Sequence, residues 1–381
     1  MHDLLILLSA ADAIGTPATT GDLKTWAYVA FVAIILVFLA LDLGVFHRTA
    51  HEVSMKEAAV WSLVWLTCGL IFALFVYFAY EHHWLGLGLD TPRYNPEVRS
   101  NPAAPLIIRG EVSGAAASRE YITGYFLEKS LAMDNIFVIA LIFGYLAIPA
   151  KYQHRVLFWG ILGALMMRGV MILAGAALVA RYDWILIIFG LLLVGTSIKM
   201  AVIRAESHPD RNPVVRLVKR LLPVSDGFDG QRFITRIDGR RHLTPLFIAL
   251  VMVEISDLVF AIDSIPAIFA ITPDPFIVFT SNVFAILGLR ALYFCLAALI
   301  ARFRYLKPAL ILILAFVGSK LLLLSVPPYL NDAAGVIGVS IPEIRSVKID
   351  TSVSLVAVLA TLVLAVIASA LRPAPPPEAS A

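Results

Sequence analysis

Apolar residues in this chain run in long continuous stretches rather than alternating with polar ones. Each stretch is about 20 residues long, the length a helix needs to cross hydrocarbon. Nine runs are legible, at about 26–46, 58–80, 119–147, 154–179, 182–203, 243–270, 277–301, 306–327 and 352–371. Unbroken runs exclude a transmembrane barrel, whose strands alternate over short segments. The pattern predicts an all-α membrane protein of about nine transmembrane helices.

Composition agrees. Of 381 residues, 60% are hydrophobic and 15% charged, too few polar groups to cover a soluble domain of that size. Cys68 and Cys295 lie in separate apolar runs, which argues against a disulfide framework or a thiolate metal site. No basic residue precedes the apolar LLILLSAADA, so no cleaved signal peptide is expected. Lysine and arginine concentrate in one set of loops, around Arg48, Lys56, Lys151 and Arg155, in RAESHPDRNPVVRLVKRLL, and around Arg302, Arg304 and Lys307. By the positive-inside rule those loops are cytoplasmic.

The predicted order is an extracytoplasmic N-terminus (1–25), two helices (26–80), a mobile outer loop (81–118), three helices (119–203) and a basic cytoplasmic loop (204–242). Three more helices (243–330), an outer loop (331–351), a last helix (352–371) and a disordered cytoplasmic tail (372–381) follow. Within the basic loop, RFITR and RRHLT flank Ile-Asp-Gly and predict a short hairpin. Its basic residues read as a topology signal or a contact with anionic lipid. The bilayer is an expected partner and nucleic acid is not.

The chain also repeats itself. LEKSLAMDN and SDLVFAIDS each hold two acids six apart, Glu128 and Asp134 in one, Asp257 and Asp263 in the other. Arg168 then matches Arg290, and LLLVGTSIK matches LAFVGSK, ending in Lys199 and Lys320. Each copy spans three runs, an odd number, so the second copy would be inverted relative to the first. Inverted-repeat transporters place a site between such halves, near the midplane.

An acid at a helix centre costs roughly 2.5–3.5 kcal/mol on insertion scales. The sixth run alone carries Glu254, Asp257 and Asp263. Three readings stand for these acids. Arg168, Arg290, Lys199 and Lys320 could neutralise them as buried ion pairs. Crowded carboxylates could relay protons. Or Glu128, Asp134, Asn135, Glu254, Asp257, Asp263 and Ser264 could form a site for a divalent cation, since such hard oxygen donors suit manganese, magnesium or calcium. The cation reading gains from Pro266, whose ring would bend the helix and free the Ile262 carbonyl beside Asp263. Met133 is packing or a softer contact. Asp42 is a cap, a partner of Arg48 or an inner gatepost. No HExxH motif or paired nucleophile and base lies in a run, so an enzyme is not expected.

LDLGVFHR, FLEKSLAMDNIFV, YQHRVLFWGILGALMMRG and TPLFIALVMVEISDLVFAIDSIPAIFAIT together resemble the TerC family of bacterial membrane proteins, in its Alx-type branch. The resemblance covers about residues 26–330. It implies a fold related to the lysine-exporter superfamily, an inner-membrane location and a role in metal homeostasis, chiefly Mn²⁺ export. It implies that Glu128, Asp134, Glu254, Asp257 and Asp263 are the family's acids. The expectation is a Mn²⁺ transporter, with protons as a candidate counter-ion and no prosthetic group. A Ca²⁺ or Mg²⁺ transporter, or a membrane scaffold of a metal or tellurite stress response, is the alternative.

Overall fold

The structure is a computed structural model. It describes residues 20–44, 54–99, 101, 104–202, 223–225, 227–237, 239–296, 305–337 and 344–371. Most of the basic segment at 204–222, the 372–381 tail and the Asp42 side chain lie outside the described residues.

Helices dominate. In chain order they are α1 (Thr20–Gly44), α2 (Met55–Glu81), α3 (Gly114–Tyr145), α4 (Ala150–Arg181), α5 (Ile185–Val202) and α6 (Pro245–Phe269). There follow α7 (Pro275–Leu287), α8 (Leu289–Leu296), α9 (Leu306–Ile337) and α10 (Thr351–Leu371). Among the described residues, 8 helical segments are long and apolar enough to cross a membrane, α7 and α8 forming one of them. The chain is an all-α membrane protein. The remaining run is α3, 32 residues long and so about 48 Å from end to end. It carries Arg119, Glu120, Glu128, Lys129 and Asp134.

Position explains how α3 tolerates that charge. It packs against α2, α6, α7, α8, α9 and α10, so most of its circumference meets protein rather than hydrocarbon. The outer helices show the converse: α1, α2 and α10 expose Trp26, Leu63, Leu74, Val356 and Leu364, as lipid contact requires. Caps start several helices. The Ser54 and Ser113 hydroxyls accept from the backbone N–H of Glu57 and Ala116, and Pro275 opens α7 behind an Asp274 cap, where a missing N–H costs nothing.

The seventh run breaks into α7 and α8 at Gly288, and α9 runs on to Ile337, into the expected outer loop at 331–351; two further departures bear on the site. Within residues 81–118, expected to be a mobile loop, two short strands pair antiparallel, β1 (Thr91–Tyr94) with β2 (Ile107–Gly110), and α3 already begins at Gly114. The Tyr94 hydroxyl donates to the carbonyl of Phe269 at the end of α6, and Lys348 donates to the Tyr94 carbonyl at 2.9 Å. Proline and asparagine in this stretch gave no sign of strands, and the contacts of Tyr94 set the pair against the end of α6 and Lys348. Second, α6 continues as one helix through Pro266 to Phe269. Asp263, which a bend there was expected to bring to Glu254 and Asp257, instead accepts from Thr196 of α5.

The expected hairpin in the basic loop is present as β3 (Ile234–Ile237) and β4 (Arg240–Leu243), turning at Gly239, whose φ of 77° suits glycine. It leads directly into α6. The two hairpins therefore mark opposite ends of that helix, and α3, which starts beside β2, runs antiparallel to α6.

Candidate functional site

The centre of the bundle holds a buried polar cage built on Arg168 of α4. Its Nε donates to Asp257 Oδ2 at 3.0 Å and its Nη2 to Asp257 Oδ1 at 2.9 Å. Its Nη1 pairs with Glu128 Oε1. The same nitrogen reaches Asn282 Oδ1 at 2.7 Å and Ser264 Oγ at 3.3 Å. Asn135 donates from Nδ2 to Asp257 Oδ1 at 2.9 Å, and Ser256 donates to Asn135 Oδ1 at 3.4 Å. Glu128, Asn135, Arg168, Asp257, Ser264 and Asn282 are all buried.

Helical periodicity selects these residues. Glu128 and Asn135 are seven apart on α3, and Asp257 and Ser264 seven apart on α6. Seven residues return to within about 20° of the same face, whereas six turn roughly 120° away. Asn135 and Ser264 therefore enter the cage, and their neighbours Asp134 and Asp263 point elsewhere. Depth matches too, since Glu128 and Asp257 each stand near the middle of their helix.

The seven candidate residues thus divide. Glu128, Asn135, Asp257 and Ser264 meet around Arg168. Asp263 accepts from Thr196 Oγ1 of α5 at 2.9 Å. Glu254 lies on the α4 side, its carboxylate over Gly163, where any Cβ would collide with it. Asp134 is half-buried, and Lys307 at the start of α9 is a cation within electrostatic reach. Among the described residues, no three His, Cys, Asp or Glu side chains stand together as a ready metal-binding group.

With both acids ionised, the cage sums to one excess negative charge. Its capacity for hydrogen bonds is also unfilled, since Glu128 Oε2 and Asn282 Nδ2 are buried without a partner. Asn282 was not among the sequence candidates. It was visible as a lone amide in the apolar run FIVFTSNVFAIL, though no repeat partner marked it. Of the other basic candidates, Lys320 donates to Ser354 Oγ at 2.9 Å, Arg290 is buried and Lys199 is exposed. Lys129, beside Glu128, donates to the Ala285 carbonyl at 3.1 Å and lies 5.9 Å from the Tyr125 ring centre.

Fold and cage together define a multi-pass integral membrane protein with an ion-paired polar centre inside its helix bundle. Sequence comparison places it more narrowly. The profile of the integral membrane protein TerC family matches residues 113–374, a region that contains the whole cage. An uncharacterised membrane protein of Myxococcus xanthus is 45% identical over 329 residues, covering 85% of this chain and 92% of that protein. The putative membrane-bound redox modulator Alx of Escherichia coli K12 is 41% identical over 313 residues, covering 81% and 87%. An uncharacterised membrane protein of Rickettsia bellii is 39% identical over 309 residues, covering 80% and 91%. The chain belongs to the TerC family. No solved structure matches it significantly.

Proposed function

We propose that this protein moves a divalent metal cation across a bacterial inner membrane, with Mn²⁺ export as the leading assignment. The observation that carries this reading is the meeting of Glu128 and Asp257, from corresponding places in two sequence repeats, at one buried centre. Asn135 and Ser264 bring further oxygen ligands, and all four donors are hard, as Mn²⁺, Mg²⁺ and Ca²⁺ prefer. Family membership supports an integral membrane role, and the acidic motifs carry the resemblance to metal-homeostasis proteins.

The packing supports the inverted repeat. Helix α3 packs on α7 as α6 packs on α4, and α5 packs along α9, which is the exchange a two-fold axis between α3–α5 and α6–α9 would produce. In this reading the halves rock about the cage, giving access first from the β3–β4 end in the cytoplasm and then from the β1–β2 end outside. The N-terminus is outside and the C-terminus inside. Asp134, Glu254 and Asp263 are stations on the approaches, and proton counter-transport is the natural balance for a carboxylate site that empties.

Metal uptake into vesicles holding the purified protein tests the proposal, with Mn²⁺, Mg²⁺ and Ca²⁺ offered separately under an imposed pH gradient. Protein-dependent Mn²⁺ flux is expected. Absence of flux for all three ions, from protein shown to be inserted and helical, would overturn the transport reading.

A further inference from the structure

We propose that Arg168 is a tethered cation that holds the cargo's place between Glu128 and Asp257, so that a metal ion loads only by displacing it. The inference rests on the transport reading and assigns that site its selectivity device.

Three candidate ligands, Glu128, Asp257 and Ser264, spend their oxygens on the guanidinium. The arginine stands on α4, whereas those ligands stand on α3 and α6, so it can leave them without unravelling the helices that carry them. It also serves the empty state, because two carboxylates buried without a counter-charge would be costly. The cage offers more than the guanidinium uses. Glu128 Oε2, a carboxylate oxygen open to a cation, stays unpartnered, although the residue is fully buried.

Charge then decides what can enter. A monovalent cation brings only the charge that Arg168 already supplies, and forfeits the hydrogen bonds to Asp257, Ser264 and Asn282. A divalent cation brings twice the charge and recovers that loss. Arg168 therefore sets a threshold that favours divalent ions, and it lowers their apparent affinity by the fraction of time it occupies the cage.

The test uses full-length wild type, Arg168→Gln and Asn282→Ala. Mn²⁺ binding is followed by thermal shift in detergent, and Mn²⁺ flux is measured in vesicles with and without excess K⁺. Arg168→Gln should bind Mn²⁺ about tenfold tighter and gain more in Tm from it than wild type. Its flux should become sensitive to K⁺ while that of wild type is not. Asn282→Ala removes one acceptor of the guanidinium but leaves the ion pairs, and should shift affinity the same way by a smaller factor. A helical, monodisperse Arg168→Gln protein that binds Mn²⁺ no tighter than wild type overturns the proposal. Should that variant fail to fold, Asn282→Ala decides alone, with unchanged or weaker binding as the overturning result. Wild-type flux of Mn²⁺ alongside these negative outcomes removes the arginine's role and leaves the transport reading standing. A wild type that binds no divalent cation removes both.

Discussion

Arg168 meets Asp257 edge to edge, Nε to Oδ2 at 3.0 Å and Nη2 to Oδ1 at 2.9 Å, joining α4 to α6 in the bundle interior. A two-pronged pair of this kind fixes orientation as well as charge. Removing one partner leaves the other buried and uncompensated, at about 3–5 kcal/mol. Asp257→Ala should therefore lower stability by that order, measured as loss of the folded fraction on titration with denaturant. A Tm within one degree or so of wild type would show that the pair does not join the helices as described.

Position within the cage should also rank the acids in transport. Glu128→Gln removes a charge from the centre and is expected to abolish vesicle uptake of Mn²⁺. Asp134→Asn and Asp263→Asn alter groups outside the cage, and should slow uptake by roughly tenfold without abolishing it. Equal loss in all three variants would mean that the outlying acids join the centre in another state. Normal manganese tolerance of cells carrying an outlying variant would remove that residue from the pathway.

Much of this was legible in the chain. The apolar runs gave the helices, since continuous hydrophobicity over about 20 residues has few other outcomes. Ile-Asp-Gly between two basic β-rich segments marked the β3–β4 hairpin. The acids were found, but their grouping was less visible. Spacing within a helix fixes which side chains share a face, so Glu128 with Asn135 and Asp257 with Ser264 follow from the sequence. Which face meets which depends on packing between helices far apart in the chain, and that brought Arg168 and Asn282 in and left Asp134, Glu254 and Asp263 out. The hairpin over residues 91–110 was hidden for the same reason, because its anchors at Phe269 and Lys348 are distant in sequence.

Close approach of α5 and α9 gives a further test. A Cβ on Gly318 would stand 2.9 Å from Leu193 Cβ and 3.0 Å from the backbone nitrogen of Val194. Backbone cannot yield as a flexible side chain can, so Gly318→Ala must push the two helices apart. The expected cost is about 1–3 kcal/mol, read as a lower Tm. Gly195→Ala, with nothing within 4 Å of the added carbon, should be close to neutral or slightly stabilising. Similar effects from both would mean that glycine at 318 is not there for close packing.

Asp274 offers a pH-dependent test away from the cage. It lies between α6 and α7, buried, with Oδ1 accepting from the Phe276 N–H at 3.0 Å and Oδ2 accepting from the Tyr80 hydroxyl at 2.5 Å. Burial raises its carboxyl above the usual range, and the bonds from Tyr80 and Phe276, with Lys24 nearby, only partly offset that. A carboxyl whose pKa is higher folded than unfolded contributes stability below its unfolded value. That contribution is lost as pH rises through the folded one. Asp274→Asn keeps an acceptor for the Phe276 N–H and stays neutral throughout. Its Tm relative to wild type should therefore rise as pH goes from about 4 to about 8. A gap that is flat across that range, or that narrows, would show that this carboxyl does not titrate as its burial requires.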